Sequence, residues 1–123
     1  MLNEKLLEIL SHEGVVAIVS CSNGDAHVVN TWNSYVVATE DGRLLIPAAG
    51  MRRTQKNIEQ NNKVKVTLGS KEVMGHQHPG AGFLIEGTAK FLEEGSDFDM
   101  MKEKFSFLSR VLEITVISAK QTI

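Results

Sequence analysis

Residues 26–36 read AHVVNTWNSYV, and they set the chain's only tryptophan, Trp32, among Asn30, Thr31, Asn33 and Ser34. The valines mark an extended segment, and a strand with one buried face should alternate apolar and polar side chains. Period-two geometry puts Val28, Asn30, Trp32 and Ser34 on one face and Val29, Thr31, Asn33 and Tyr35 on the other, so neither face is wholly apolar. Two readings follow. The segment is an edge strand or bulge that is wet on both sides, or it lies along a ligand that needs an aromatic contact together with amide and hydroxyl hydrogen bonds.

Working outward, VVAIVSC (15–21) is a β-branched run and SNGD (22–25) carries an Asn-Gly turn, so the opening stretch returns as the second arm of a hairpin. Asp41-Gly42 marks another turn, and RLLIP (43–47) is a third strand whose pairing Pro47 is expected to end. GMRRTQKNIEQNN (50–62) has no helix breaker after Gly50 and runs into the strand KVKVTLGS (63–70). KEVMGHQHPGAG (71–82) reads as a loop, FLIEGTAKF (83–91) as a strand and RVLEITVIS (110–118) as the closing strand, followed by the tail AKQTI. Between them Phe98, Met101, Phe105 and Leu108 recur at helical intervals behind Ser96, an expected N-cap. At the start, Leu2, Leu6, Leu7, Ile9 and Leu10 describe a short amphipathic helix, with Gly14 where a helix commonly stops. The sum is one domain over residues 1–123, mainly β with short α-helices, and six antiparallel strands that close into a small barrel.

Composition narrows the function classes. The chain has 123 residues, 42% of them hydrophobic and 23% charged, which suits a folded globular protein rather than a disordered or fibrous one. Thirteen basic and fifteen acidic residues give a net charge of −2, with no long-range field to draw in nucleic acid or an anionic membrane. The longest apolar runs, such as Val15 to Val19, are far short of a bilayer span, and the acidic, amphipathic N-terminus does not read as a signal peptide. A single Cys21, read as a small core residue, agrees with a reducing cytoplasm.

Any anion must therefore be held by a local cluster, and GMRRT (50–54) offers one. Gly50 allows a close backbone approach, and the helix that follows presents unpaired N–H groups beside Arg52, Arg53 and the hydroxyl of Thr54. Cations in a first helical turn oppose the helix dipole, a violation that a bound phosphate explains; the alternative reading is a pair of solvated surface arginines. The spacing of a nucleotide-triphosphate loop is absent. His76 and His78 stand in the Gly-rich loop without a Cys or acidic partner at metal spacing, and His12 and His27 are isolated, so a metal site is not indicated. No nucleophile-and-base arrangement is legible.

The strings HVVNTWNSY, GMRRTQKNIEQNNKV, VTLGS, GFLIEGTAKF and ITVISAKQTI resemble the small FMN-binding proteins of the pyridoxamine-phosphate-oxidase-like, split-barrel flavoprotein family, in order and over nearly the whole chain. The resemblance implies a six-stranded antiparallel split barrel, a homodimer, and one non-covalent FMN per subunit near the dimer interface. It places Asn30, Thr31, Trp32 and Asn33 around the flavin and its ribityl chain. Arg53 and Thr54 are expected at the phosphate, with Arg52 a weaker contributor, and Gly50 and Met51 close to the flavin. Phe107, expected on a helix, and the terminal Ile123 would come from the second subunit, and Glu13 would lie near the flavin. Relatives carry lysine in place of Arg53 and tryptophan in place of Phe107, changes that keep a cation and an aromatic face. The implied function is electron transfer with an unidentified redox partner in the cytoplasm. The alternatives are a flavin reductase or pyridoxamine-phosphate oxidase of the same fold, the latter lacking here the longer arginine-bearing C-terminal region, or a haem- or deazaflavin-binding barrel in which His76 and His78 would be candidate haem ligands.

Overall fold

A computed structural model describes residues 2–123. Helix α1 (Glu4–Leu10) is followed by strands β1 (Val15–Ser22) and β2 (Asp25–Trp32), a 3-10 turn (Asn33–Tyr35), and strands β3 (Val37–Ala38) and β4 (Arg43–Ala48). Helix α2 (Arg52–Gln60), strands β5 (Lys63–Met74) and β6 (Pro79–Leu92), helix α3 (Ser96–Lys104) and strand β7 (Arg110–Gln121) complete the described chain. All strand pairs are antiparallel, in the order β2-β1-β5-β6-β7-β4-β3.

The sheet has seven strands rather than six. The six expected strands are all present, and the seventh arises because the second one breaks at the 3-10 turn and resumes as β3 on the far edge of the sheet. That break curls the sheet. Trp32 and Val37 are five residues apart and therefore lie no more than about 19 Å from each other, whereas a flat seven-stranded sheet would separate its edges by about 29 Å. The two edges must approach at this corner, which gives the hydrogen-bonded ladder the form of a barrel left open between β2 and β3.

The hairpin turn is as expected: Asn23 and Gly24 both have positive φ, 55° and 77°, as a two-residue turn matched to the strand twist requires. Other expectations are corrected. Residues 71–82 form no long loop, because β5 continues to Met74 and β6 begins at Pro79, so only four residues turn. Pro47 does not end the pairing of β4; it sits opposite Val111 of β7, where β4 has no second neighbour to receive a donor, since β3 reaches only Leu44 and Leu45. Ser96 is the first helical residue of α3, and Gly95, at φ 107°, precedes it. Gly14 does not end α1, which stops at Leu10; a Cβ on Gly14 would lie 2.0 Å from the Gly69 carbonyl oxygen, so glycine is required for backbone contact with β5. Cys21 is half-buried in β1 rather than in the core.

Alternation on the strands builds two apolar layers. Leu44 and Ile46 of β4 and Leu112 and Ile114 of β7 point inward to join Val16, Ile18, Val64, Val66, Phe83 and Ile85, and α1 adds Leu6 and Ile9. The intervening Leu45 and Val111 face outward, where Met101 of α3 and Leu108 cover them. The Asn3 side chain caps α1 by accepting from the Leu6 N–H at 2.8 Å. No described helix is long and apolar enough to cross a membrane.

Candidate functional site

The link from β4 to α2 is where the backbone departs from ordinary geometry. Met51, the residue before α2, is left-handed at φ 61° and ψ 34°, a conformation costly for any residue with a side chain. No side chain caps the helix, and the first backbone bond back to the link is Gln55 N–H to the Met51 carbonyl at 2.9 Å. The N–H groups of Arg52, Arg53 and Thr54 therefore lack helical partners. Neither Asp nor Glu stands in the first turn to complement the dipole; Arg52 and Arg53 stand there exposed. Arg53 Nη2 lies 3.2 Å from Asp25 at the start of β2, in a solvent-exposed pair. Thr54 is wholly buried and its hydroxyl has no partner among the described residues. A Cβ on Gly50 would meet nothing within 4 Å, so open space lies beside the link.

Behind the link stands Arg110, a residue without any local sequence signal. It is the first residue of β7 and is buried. Its Nη1 donates to Gln55 Oε1 at 2.9 Å, and its Nη2 donates to the carbonyls of Ala49 and Gly50 at 3.3 and 2.5 Å. Burial, with Arg52 nearby, holds its pKa below the ordinary arginine value.

The far end of β2 has a different character. Thr31 turns inward and is buried, whereas Asn30 and Trp32 turn outward; Trp32 is 47% exposed and Asn30 Nδ2 reaches the Val16 carbonyl at 3.4 Å. Asn33 is wholly buried, and its Nδ2 lies 2.9–3.2 Å from the carbonyls of Ile9, His12 and Gly69, tying the end of α1 to β5. Its Oδ1 has no partner. Next to it the Glu13 carboxylate accepts from the Ser34 hydroxyl at 2.8 Å and from the N–H groups of Ser34 and Gly14 at 3.2 Å. The bond from the Ser34 hydroxyl is the main cause holding Glu13 below the usual carboxylate range.

Glu13 and Gly14 border a cavity of about 690 Å³ that also has Gly69, Gly82, Thr122 and Ile123 in its wall. Ile123 thus stands on the Asn33 side of the molecule. Phe107 is not helical: it follows α3, half-exposed, and packs on Tyr35 and Phe105 with ring centroids 5.3 and 6.1 Å away. His76 and His78 occupy the turn between β5 and β6, beside Thr122 and Ile123. Among the described residues no three His, Cys, Asp or Glu side chains gather as a metal site would need.

The structure thus gathers Gly50, Met51, Arg52, Arg53 and Thr54 at one place and Asn30, Thr31, Trp32 and Asn33 at another, joined by β2. From Asp25, beside Arg53, to Trp32 the strand runs about 23 Å at the usual rise per residue. An elongated ligand with an anionic group at one end and a flat ring at the other suits that layout, and the orphaned Thr54 hydroxyl and uncapped N–H groups suit its anionic end.

A seven-stranded antiparallel sheet curled at one corner, with a glycine-led helix start beside it, defines a split-barrel class of protein. Residues 2–122 match the pyridoxamine 5'-phosphate oxidase family, and the chain belongs to that family. It is similar to the FMN-binding protein of Nitratidesulfovibrio vulgaris (strain DSM 19637 / Miyazaki F), with 42% identity over 123 residues covering 100% of both chains. Among solved structures it is similar to an FMN-binding protein from Syntrophomonas wolfei, with a TM-score of 0.78 and 14% identity over 98% of this chain and 85% of that one. HupZ of Group A Streptococcus is similar as well, with a TM-score of 0.81 and 16% identity over 98% of this chain and 94% of the other. At those identities the two structures speak for the fold alone.

Proposed function

We propose that this chain binds FMN non-covalently as part of a homodimer and serves electron transfer with a redox partner. The observation that carries the reading is the start of α2, a helix N-terminus without a cap, preceded by a strained left-handed Met51 and armed with two arginines. An FMN phosphate supplies what that helix start lacks: acceptors for its free N–H groups and for the Thr54 hydroxyl, and negative charge opposite Arg52 and Arg53. The full-length likeness to a protein named for FMN binding supports the choice of ligand.

Each residue then has a distinct task. Arg53 and Thr54 would hold the phosphate, with Arg52 adding charge at longer range. Asn30 and Thr31 would offer hydrogen bonds along the ribityl chain, and Gly50 and Met51 would let the backbone come close. Trp32, half in solvent, would cover part of the ring and shed its own exposed surface in doing so. Asn33 would act through the backbone carbonyls it ties together. Bound FMN accepts and releases one or two electrons; the protein fixes its orientation, excludes water from part of the ring and leaves an edge open for exchange. Phe107 and Ile123, 50% and 61% exposed, are apolar surface that a second copy would bury over the cofactor.

The test is the visible absorption spectrum of the purified protein, release and mass identification of its chromophore, and its mass in solution. A yellow dimer that releases FMN supports the reading. A colourless protein that also refuses added FMN overturns it.

A further inference from the structure

Arg110 is 3% exposed, and its side chain is the least easily explained charge in the molecule. A guanidinium this deep is normally paired with a carboxylate. Here the ion pairs among the described residues leave it out, and its acceptors are neutral: the Gln55 amide and the carbonyls of Ala49 and Gly50. Its Nε–H is buried with no partner, and the Phe91 ring lies 5.2 Å from its Cζ. The protein has thus buried a positive charge with no carboxylate in contact and only the more distant Glu93 to offset it, against the link into a helix start that is itself positive and already carries Arg52 and Arg53.

The placement has a second consequence. Both nitrogens of the guanidinium fork act on the α2 link: one takes the two carbonyls before Met51, and the other takes Gln55 in the first turn. The negative ends of those two peptides are therefore drawn toward Arg110, and the left-handed Met51 is clamped between them and the helix. We infer that Arg110 is a positioning residue that shapes and charges the anion cradle, and that it makes the site select a phosphorylated flavin over an unphosphorylated one. The inference rests on the FMN reading above. A lysine could keep the charge but not the fork, because its donors leave one point rather than two.

Affinities of the flavin-free protein for FMN and for riboflavin, measured by quenching of flavin fluorescence, test it in the wild type, R110Q and R110K. FMN affinity is expected to fall at least tenfold in R110Q while riboflavin affinity changes less than twofold, with R110K between wild type and R110Q in its preference for FMN. Equal losses for the two flavins would show that Arg110 only keeps the fold of the link, and no loss for either would show that it has no part in the site; both overturn the inference. If R110Q does not fold, R110K decides alone: a preference for FMN unchanged from wild type sinks the proposal. Should the wild type bind neither flavin, the FMN reading falls by itself, and inorganic phosphate becomes the probe. A melting midpoint raised more by phosphate in the wild type than in R110K would still support the cradle, and equal rises would overturn it.

Discussion

Two helices of nine residues each, α2 and α3, begin in opposite ways. Helix α3 carries Asp97 and Asp99 in its first turn and Lys102 and Lys104 in its last, as the helix dipole favours. Lys102 closes its C-terminal end by donating to the carbonyls of Ser106 and Leu108 at 2.9 and 2.7 Å, and Asp97 accepts from Arg43 at 2.6 Å. Helix α2 has arginines where α3 has aspartates, a strained residue where α3 has a glycine, and a buried hydroxyl left without a partner. Both helices cover the same sheet. Neither helix has a side-chain cap, so the difference lies in charge and strain: α3 complements its own dipole, whereas α2 opposes its dipole and is built for something that arrives later.

The largest effect should come from damaging α3. Arg43 joins Asp97 of α3 to Glu113 of β7, at 2.6 and 2.7 Å, and also holds Asp41. Arg43→Ala would leave Glu113, which is nearly buried, without its closest cation, and should cost about 3 kcal/mol in urea-induced unfolding. FMN affinity should stay within twofold, and a large loss there would erase the division between the two helices. The reverse pattern is expected on α2. Arg53→Ala should weaken FMN by roughly 10- to 100-fold in titration, the usual worth of a hydrogen bond to a charged group, while stability moves by no more than about 0.5 kcal/mol. Arg52→Glu sharpens the contrast further: it should stabilise the flavin-free protein by about 0.3–1 kcal/mol, because a carboxylate suits the dipole, and weaken FMN at the same time. A variant that gained stability and kept its FMN affinity would show that the arginines of α2 answer to nothing.

Much of this contrast was legible in the sequence, because it is local. Charges in a first turn, Gly50 ahead of a helix and the Asn23-Gly24 turn are patterns within a few residues. The paired faces of β2 were also legible, as was their conflict with a simple buried strand. Three features were not. The split of the second strand into β2 and β3 depends on Asn33, whose amide is taken by carbonyls of α1 and β5 that no strand pattern reveals. The extension of β5 and β6 into a glycine-rich stretch reflects pairing of each with the other, which overrides the loop-forming preference of their residues. Arg110 lies 60 residues from Gly50, whose carbonyl it holds, and reads in sequence as an ordinary charged residue at the start of a strand. Local rules find where a helix start is incomplete; they do not find the distant side chain that braces it.

The smallest expected effect lies at the other end of β2, where Glu13 and Ser34 satisfy each other. Glu13 is exposed, yet three donors converge on its carboxylate, chiefly the Ser34 hydroxyl, and hold its pKa below the ordinary 4.5. A carboxylate depressed in the folded state adds stability above its unfolded pKa and loses it as pH falls through the folded value. Melting midpoints of the flavin-free wild type and Glu13→Gln, followed from about pH 6 to pH 3, should therefore differ most at the upper end and converge toward the lower. A glutamine can still accept from Ser34 through its amide oxygen, so only the part of the bond that depends on charge is removed, and the gap should be small. A gap that persisted unchanged at low pH would mean that Glu13 serves the 3-10 turn by shape alone. Convergence would mean that its charge helps hold Ser34, and with it the turn where β2 hands over to β3 and the two edges of the barrel approach.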